Sequence, residues 1–138
     1  MKLCNETVTV YNARVDPAQR MEIYIPTVLV GVSWHSETIS AVVESGLKAA
    51  NRFTLRIPEE VYASGKTFAD PKDYRAAADV SGSWTLQKGD VILRGACTDT
   101  LTPAQLRERF GADNVPTILG VTDNRHAPNA KHWKVVGA

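Results

Sequence analysis

The chain of 138 residues is long enough for one domain with a sizeable core and too short for two. Hydrophobic residues make up 43% and charged residues 22%, ordinary globular usage that excludes a disordered or fibrous class. With 16 basic and 15 acidic side chains the net charge is +1, without the basic excess that nucleic-acid binders carry.

Period-two alternation interrupted by turn residues dominates the chain and predicts a mainly β fold, a small barrel or sandwich of about seven strands with two short helices. Val8, Val10 and Asn12 share one face of a first strand over Thr7 to Ala13. Asp16-Pro17 presets a turn, and Met21 to Ile25 return as the second arm of a hairpin. Pro26 cannot donate to a ladder, so it marks an edge or bulge before Val28, Val30, Val32 and Trp34 resume on the buried face, with Ser33, His35 and Glu37 facing water. The small residues and Gly46 between Ile39 and Ala50 follow no period and predict a mobile loop.

Phe53, Leu55 and Ile57 alternate with Arg52, Thr54 and Arg56, which predicts a strand with a basic solvent face ending at Pro58. Asp70-Pro71-Lys72-Asp73 combines an N-cap with proline at the first helical position, predicting a helix from Pro71 to about Ala78. Trp84 to Gln87, a Lys88-Gly89 turn and Asp90 to Arg94 read as a tight hairpin. Thr102-Pro103-Ala104-Gln105 is a capping-box pattern, Leu106 and Phe110 form an i,i+4 pair, and Gly111 ends that helix. Pro116 to Val121 and Lys131 to Val136 are the last two strands, with the loop Thr122 to Ala130 between them. The expected core contains Trp34, Phe53, Leu55, Trp84, Ile92 and Trp133.

Asp123, His126 and His132 are of metal-ligating types, but their spacing is not helical and Arg125 among them would repel a cation. Asp123 and Asn124 are better read as turn residues bonding their own backbone, and His132 as a half-exposed strand residue. Cys4 and Cys97 are too few and too distant for a disulfide framework and are read as reduced thiols, Cys97 as a small hydrophobe rather than a nucleophile. No serine-hydrolase elbow or phosphate loop is present, so no enzyme activity, cofactor or metal is expected. Nothing at the start reads as a signal peptide, and the apolar run Val28 to Val32 falls far short of the roughly 20 residues of a membrane span. The rival to a structural role is a small barrel binding single-stranded nucleic acid, with Tyr11, Trp34 and Phe53 as stacking platforms beside Arg52, Arg56, Arg94, Arg125, Lys131 and Lys134. Balanced charge speaks against it.

The opening Glu6-Thr7-Val8-Thr9-Val10-Tyr11-Asn12, the run from Ser83 to Gly95, and the ending Val121 to Arg125 with His132 to Gly137 resemble a family of small phage and prophage virion proteins. The N-terminal hairpin, the Lys-Gly-Asp turn and the closing His-Trp strand are similar to head–tail joining proteins of the stopper or head-completion type. The resemblance implies a minor capsid or neck component without catalytic residues. It implies other virion proteins as partners (portal, adaptor or tail), a ring when assembled, a monomer or weak oligomer when free, and residence in the bacterial host cytoplasm before the virion. Docking is then expected on the loops Glu37 to Ala50 and Pro58 to Ala69, both mobile in the free protein, with Glu37, Ser45, Gly46, Lys48, Asn51, Glu59 and Lys66 as candidate contacts, joined by Asp123, Arg125 and His126.

Overall fold

The computed structural model describes residues 5–16, 18, 20–43 and 46–138, with backbone alone for 38–43 and 46–51. The chain is mainly β, as its alternation predicts. Among the described residues eight strands run β1 (Glu6–Val15), β2 (Glu22–Val43), β3 (Gly46–Pro58), β4 (Thr67–Phe68), β5 (Ser83–Trp84), β6 (Val91–Arg94), β7 (Ile118–Asp123) and β8 (His132–Gly137). Helix α1 (Pro71–Ala76) lies between β4 and β5, and α2 (Pro103–Phe110) follows β6. Six strands form one sheet in the order β6-β1-β2-β3-β8-β7, and β4 and β5 form a separate parallel pair.

The sheet curls because its two outer strands meet at one end. Ile118 donates to the Asp90 carbonyl at 2.8 Å, Ile92 to the Pro116 carbonyl at 3.0 Å and Gly89 to the Ile118 carbonyl at 2.8 Å. The inner face gathers Val8, Val10, Leu29, Val32, Phe53, Leu55, Ile57, Trp84, Ile92, Trp133 and Val135 into one core. A second cluster forms on the other face of β1 and β6, where Tyr11, Val91 and Leu93 are covered by Leu106 of α2 and by Val115. Strand β1 is therefore buried on both sides. Five of the six expected core residues are buried; Trp34 is half-buried at the margin, stacked on Phe53 with ring centroids 4.8 Å apart.

Strand β2 serves two neighbours. Its first half pairs with β1 and its second half, from Ser33, with β3. The change falls at Gly31, whose φ of 95° suits a residue without Cβ, and the ladder slips there from Thr7↔Val30 to Glu6↔Val32. The slip reverses the alternation, which corrects the expected inward face. Thr27 and Leu29 are buried and Val30 is exposed, while beyond the bulge Val32 is buried again. The run Val28 to Val32 is apolar in both phases, so continuous alternation back from Trp34 picks the wrong one.

The expected mobile loop between Ile39 and Ala50 is a second correction. Residues Glu37 to Val43 pair with Gly46 to Arg52 as an antiparallel ribbon, continuing the ladder from Ser33↔Arg56 to Val43↔Gly46. Small residues blur the alternation there, but β-branched Thr38, Ile39, Val42 and Val43 accept extended backbone and the ladder propagates through it. Strand β3 meets β8 only from Phe53 onward. Among the described residues the ribbon has no third strand.

The expected hairpin between Trp84 and Arg94 is absent, although the Lys88-Gly89 turn is present: Asp90 donates to the Gln87 carbonyl at 3.2 Å. The Asn12 side chain takes the ladder's place. It accepts from the Thr85 N–H at 3.1 Å and donates to the Thr85 carbonyl at 2.7 Å and to Asp90 Oδ2 at 3.1 Å. Gln87 Nε2 donates to the same Asp90 oxygen at 2.9 Å and to the Ala13 carbonyl at 3.1 Å, and the Ala13 N–H reaches Asp90 Oδ1 at 3.3 Å. Strand β6 thereby pairs with β1 instead.

Helix α1 ends at Ala76 rather than Ala78, and Asp70 occupies the N-cap position without a side-chain bond. The capping box of α2 forms as expected, with Gln105 N–H on Thr102 Oγ1 and Thr102 N–H on Gln105 Oε1.

Replacing Asn12 by leucine keeps the branched shape but strands the Thr85 backbone pair and removes one of the three donors on Asp90. We predict a loss of about 2–4 kcal/mol in urea unfolding, beyond the effect of a simple cavity, because buried unpaired groups bear their full desolvation cost.

Candidate functional site

The segment Pro58 to Ala69, expected as a mobile docking loop, is pinned along the open edge of β2. Val30 donates to the Tyr62 carbonyl at 2.9 Å, Ser64 Oγ to the Val28 carbonyl at 2.9 Å, and Lys66 Nζ to the Pro26 carbonyl at 3.0 Å and Thr27 Oγ1 at 2.9 Å. Pro26, which lacks a donor, thus lies where β2 has a ladder on one side only, and its edge is covered by this segment. The segment is a connection, as expected, but a tethered one: turn-type residues such as Ser64 and Gly65 align its bonds with a strand edge.

Between this segment and the connection from β7 to β8 lies a cavity of about 600 Å³. Its floor is an aromatic cluster in which Phe68, Trp84 and Trp133 meet pairwise with centroids 4.6 to 5.4 Å apart. Its rim carries Glu59, Lys66, Arg125, His126 and Lys131. The Arg125 guanidinium lies 4.8 Å from the Trp133 ring centre and 5.1 Å from that of Phe68. Asp123 holds it there: Nε donates to both carboxylate oxygens, and Nη2 to Oδ2 at 2.7 Å. The Asp123 carboxylate also accepts the Arg125 N–H at 3.0 Å, the turn role its sequence context predicts.

These bonds from Arg125 hold the Asp123 carboxyl down to about 2. Lys66 is shifted the other way, its ammonium lowered from the ordinary lysine value by burial. Asp90, beneath the sheet's other end, is raised by burial against the pull of the Asn12, Gln87 and Ala13 donors. His132 sits half-buried on β8, with Nδ1 2.6 Å from the Ala130 carbonyl and Nε2 3.3 Å from Asn124 Nδ2. Cys97 is a free thiol packed against the Tyr11 cluster.

The candidate contacts divide in two. Glu59, Lys66, Arg125 and His126 line the cavity and Asp123 orients Arg125. Glu37, Gly46, Lys48 and Asn51 lie on the paired ribbon rather than in a loop. Ser45 lies outside the described residues. Phe68 and Lys131 complete the cavity and have no local sequence signal. Trp84 and Trp133 were legible as core and are buried as expected, at 2% and 4% exposure, with Arg125 over the Trp133 ring.

The chain belongs to the family of unknown function DUF6751, which matches residues 3–138. Neither the curated proteins nor the solved structures contain a match.

The Asp123–Arg125 pair gives a signed pH dependence. Because the folded carboxyl is lowered from 3.8 to about 2, its stabilisation is complete above the ordinary value and is lost as pH falls through that interval. Asp123→Asn is expected to be less stable than the wild type near neutral pH and to match it near pH 2, by urea unfolding at the two pH values.

Proposed function

We propose that this protein is a structural component of a phage or prophage particle, a head–tail joining or minor capsid protein that works by assembly with other virion proteins. The observation that carries the reading is the ribbon Glu37–Val43/Gly46–Arg52. It extends a rigid sheet by about seven residue pairs, roughly 20 Å at the rise of a strand, with two edges that have no partner among the described residues. Exposed edges of that length are a hazard for a solitary protein and an asset for one that adds strands to a neighbour. The β-rich body and the resemblance of its motifs to those of small virion proteins support the same reading. No helix among the described residues is long and apolar enough to cross a membrane.

The single-strand-binding alternative finds less support in the geometry. Tyr11 and Phe53 are buried in the two clusters, and Trp34 has Phe53 against one face and Arg94 5.5 Å from its ring centre. A base would have to displace these contacts before it could stack.

The test replaces residues 38–51 with a two-residue Asn-Gly turn between Glu37 and Arg52 in the parent phage. The shortened protein is expected to keep its thermal midpoint, because the core residues, the β1–β2 and β3–β8 ladders and the β2–β3 pairs from Ser33↔Arg56 to Glu37↔Arg52 remain. It is expected to be missing from purified particles, leaving heads and tails unjoined. Particles that form normally with the shortened protein would refute the ribbon's role, and absence of the wild-type protein from virions would refute the reading itself.

A further inference from the structure

Helix α2 closes the outer face of the sheet over β1 and β6, and the cluster beneath it ends there. Over β3 and β8 the outward residues Thr54, Arg56, Lys134 and Val136 are only half-buried. This stretch sets like charges side by side. Arg56 lies directly opposite Lys134, with Ser33 on the next strand beyond Arg56 and Thr122 on the next strand beyond Lys134. Like charges directly opposite each other destabilise a sheet. Six arginines elsewhere, Arg14, Arg75, Arg94, Arg107, Arg109 and Arg125, each bond an acceptor through the guanidinium. Among the described residues Arg56 and Lys134 have no ion pair and no side-chain hydrogen bond.

No acid stands on the rungs beside the pair. The neighbouring outward rungs hold His35, Thr54, Val136 and Gly120 on one side and Pro58 with His132 on the other. Glu37 is opposite Arg52, so those two charges offset each other. Glu59 lines the cavity, Asp123 is bonded to Arg125, and Glu60 lies in the turn beyond the last pair, Pro58↔His132. The positive charge of Arg56 and Lys134 is left over. Next to it the face turns apolar, since Val30 points outward from β2, bridges to Tyr62, and both are exposed.

Arginine and tyrosine are the residues that dominate the centres of protein interfaces. Two surplus charges on a chain of net charge +1 fall short of the roughly 6–10 phosphate contacts that hold a strongly salt-dependent nucleic-acid complex. We propose that the outer face of β3 and β8 is a docking surface for a folded protein that presents carboxylates to Arg56 and Lys134 beside an apolar spot covered by Val30 and Tyr62. This rests on the assembly reading above and adds the chemistry of the partner. Strands β2 and β3 run from this face straight into the ribbon, so a neighbour that takes a ribbon edge lies against the cations. A carboxylate between them relieves a repulsion that the free protein bears, and the guanidinium fork suits it.

Zero-length carbodiimide crosslinking is the test, because it joins a lysine amine only to a carboxylate in contact with it. In lysates of the induced host and in purified particles, Lys134 is expected to be joined to an aspartate or glutamate of a different protein. The yield is expected to fall at least tenfold in Arg56→Gln and in Tyr62→Ser, and to be unchanged in Arg20→Gln, which alters an exposed arginine before β2. Arg56→Gln removes one of two opposed like charges and is expected to keep or raise the thermal midpoint. Tyr62→Ser leaves the backbone bond to Val30 in place, so a folding defect in one variant does not shield the proposal. Lys134 joined to a second copy of this chain, an unchanged yield in both variants, or salt-sensitive binding of a labelled DNA duplex that Arg56→Gln abolishes would overturn it. Lys134 left unjoined in protein that is present in particles would sink the docking surface and spare the assembly reading. Lys134 joined in lysates to an acidic protein, with this chain absent from particles, would sink that reading and spare the surface.

Discussion

One backbone constraint organises the molecule: β2 must leave one neighbour and join another without ending, and Gly31 is where it does so. A residue at a φ of 95° absorbs the extra position between the Thr7↔Val30 and Glu6↔Val32 pairs. The bulge bends and twists the strand, so that its first half completes the sheet with β1 and its second half departs with β3. Two features of the molecule follow from that change. The departing half becomes the ribbon. The abandoned edge of the first half, left without a ladder partner, is what the segment through Tyr62, Ser64 and Lys66 covers, and that segment is one wall of the aromatic cavity.

The body that carries these regions is rigid for a second reason. Packing alone would leave the stretch from Thr85 to Asp90 as a surface loop, yet Thr85, Gln87 and Asp90 are all buried. The Asn12 amide does for Thr85 what a paired strand would do, with the added directionality of a fixed side chain. Three donors on Asp90 compensate much of the cost of burying a carboxylate, though burial still raises its titration point. That cluster fixes the register in which β6 meets β1 and the start of β7, and so closes the curl of the sheet.

Much of this was legible in the sequence. The alternation of Phe53, Leu55 and Ile57, the capping box at Thr102 and the closing strand through Trp133 and Val135 are strong local patterns, and tertiary structure had no cause to override them. The misreadings share a cause. Val28 to Val32 is apolar in both phases, and the ribbon has small residues in both, so neither segment states which side faces in; the answer lies in a bulge and in a partner strand. The absent hairpin is a longer-range matter, since Asn12 lies 73 residues from the Thr85 groups it satisfies. The cavity was half visible: Glu59, Lys66, Arg125 and His126 were singled out as polar residues on connections, but nothing local joins them to Phe68 or places Trp84 and Trp133 beneath them.

The claim on which the rest depends is that Gly31 is required for its backbone conformation, and unfolding free energies of two single variants test it directly. Gly31→Ala puts a Cβ on a residue at positive φ and is expected to cost about 1–2 kcal/mol or more. Gly82→Ala is the control: that glycine has nothing within 4 Å of an added Cβ and no positive φ, so the change is expected to be neutral or to stabilise by a few tenths up to about 1 kcal/mol. Opposite signs at the two positions are the predicted result. A Gly31→Ala protein as stable as the wild type, or stabilised like Gly82→Ala, would contradict the account.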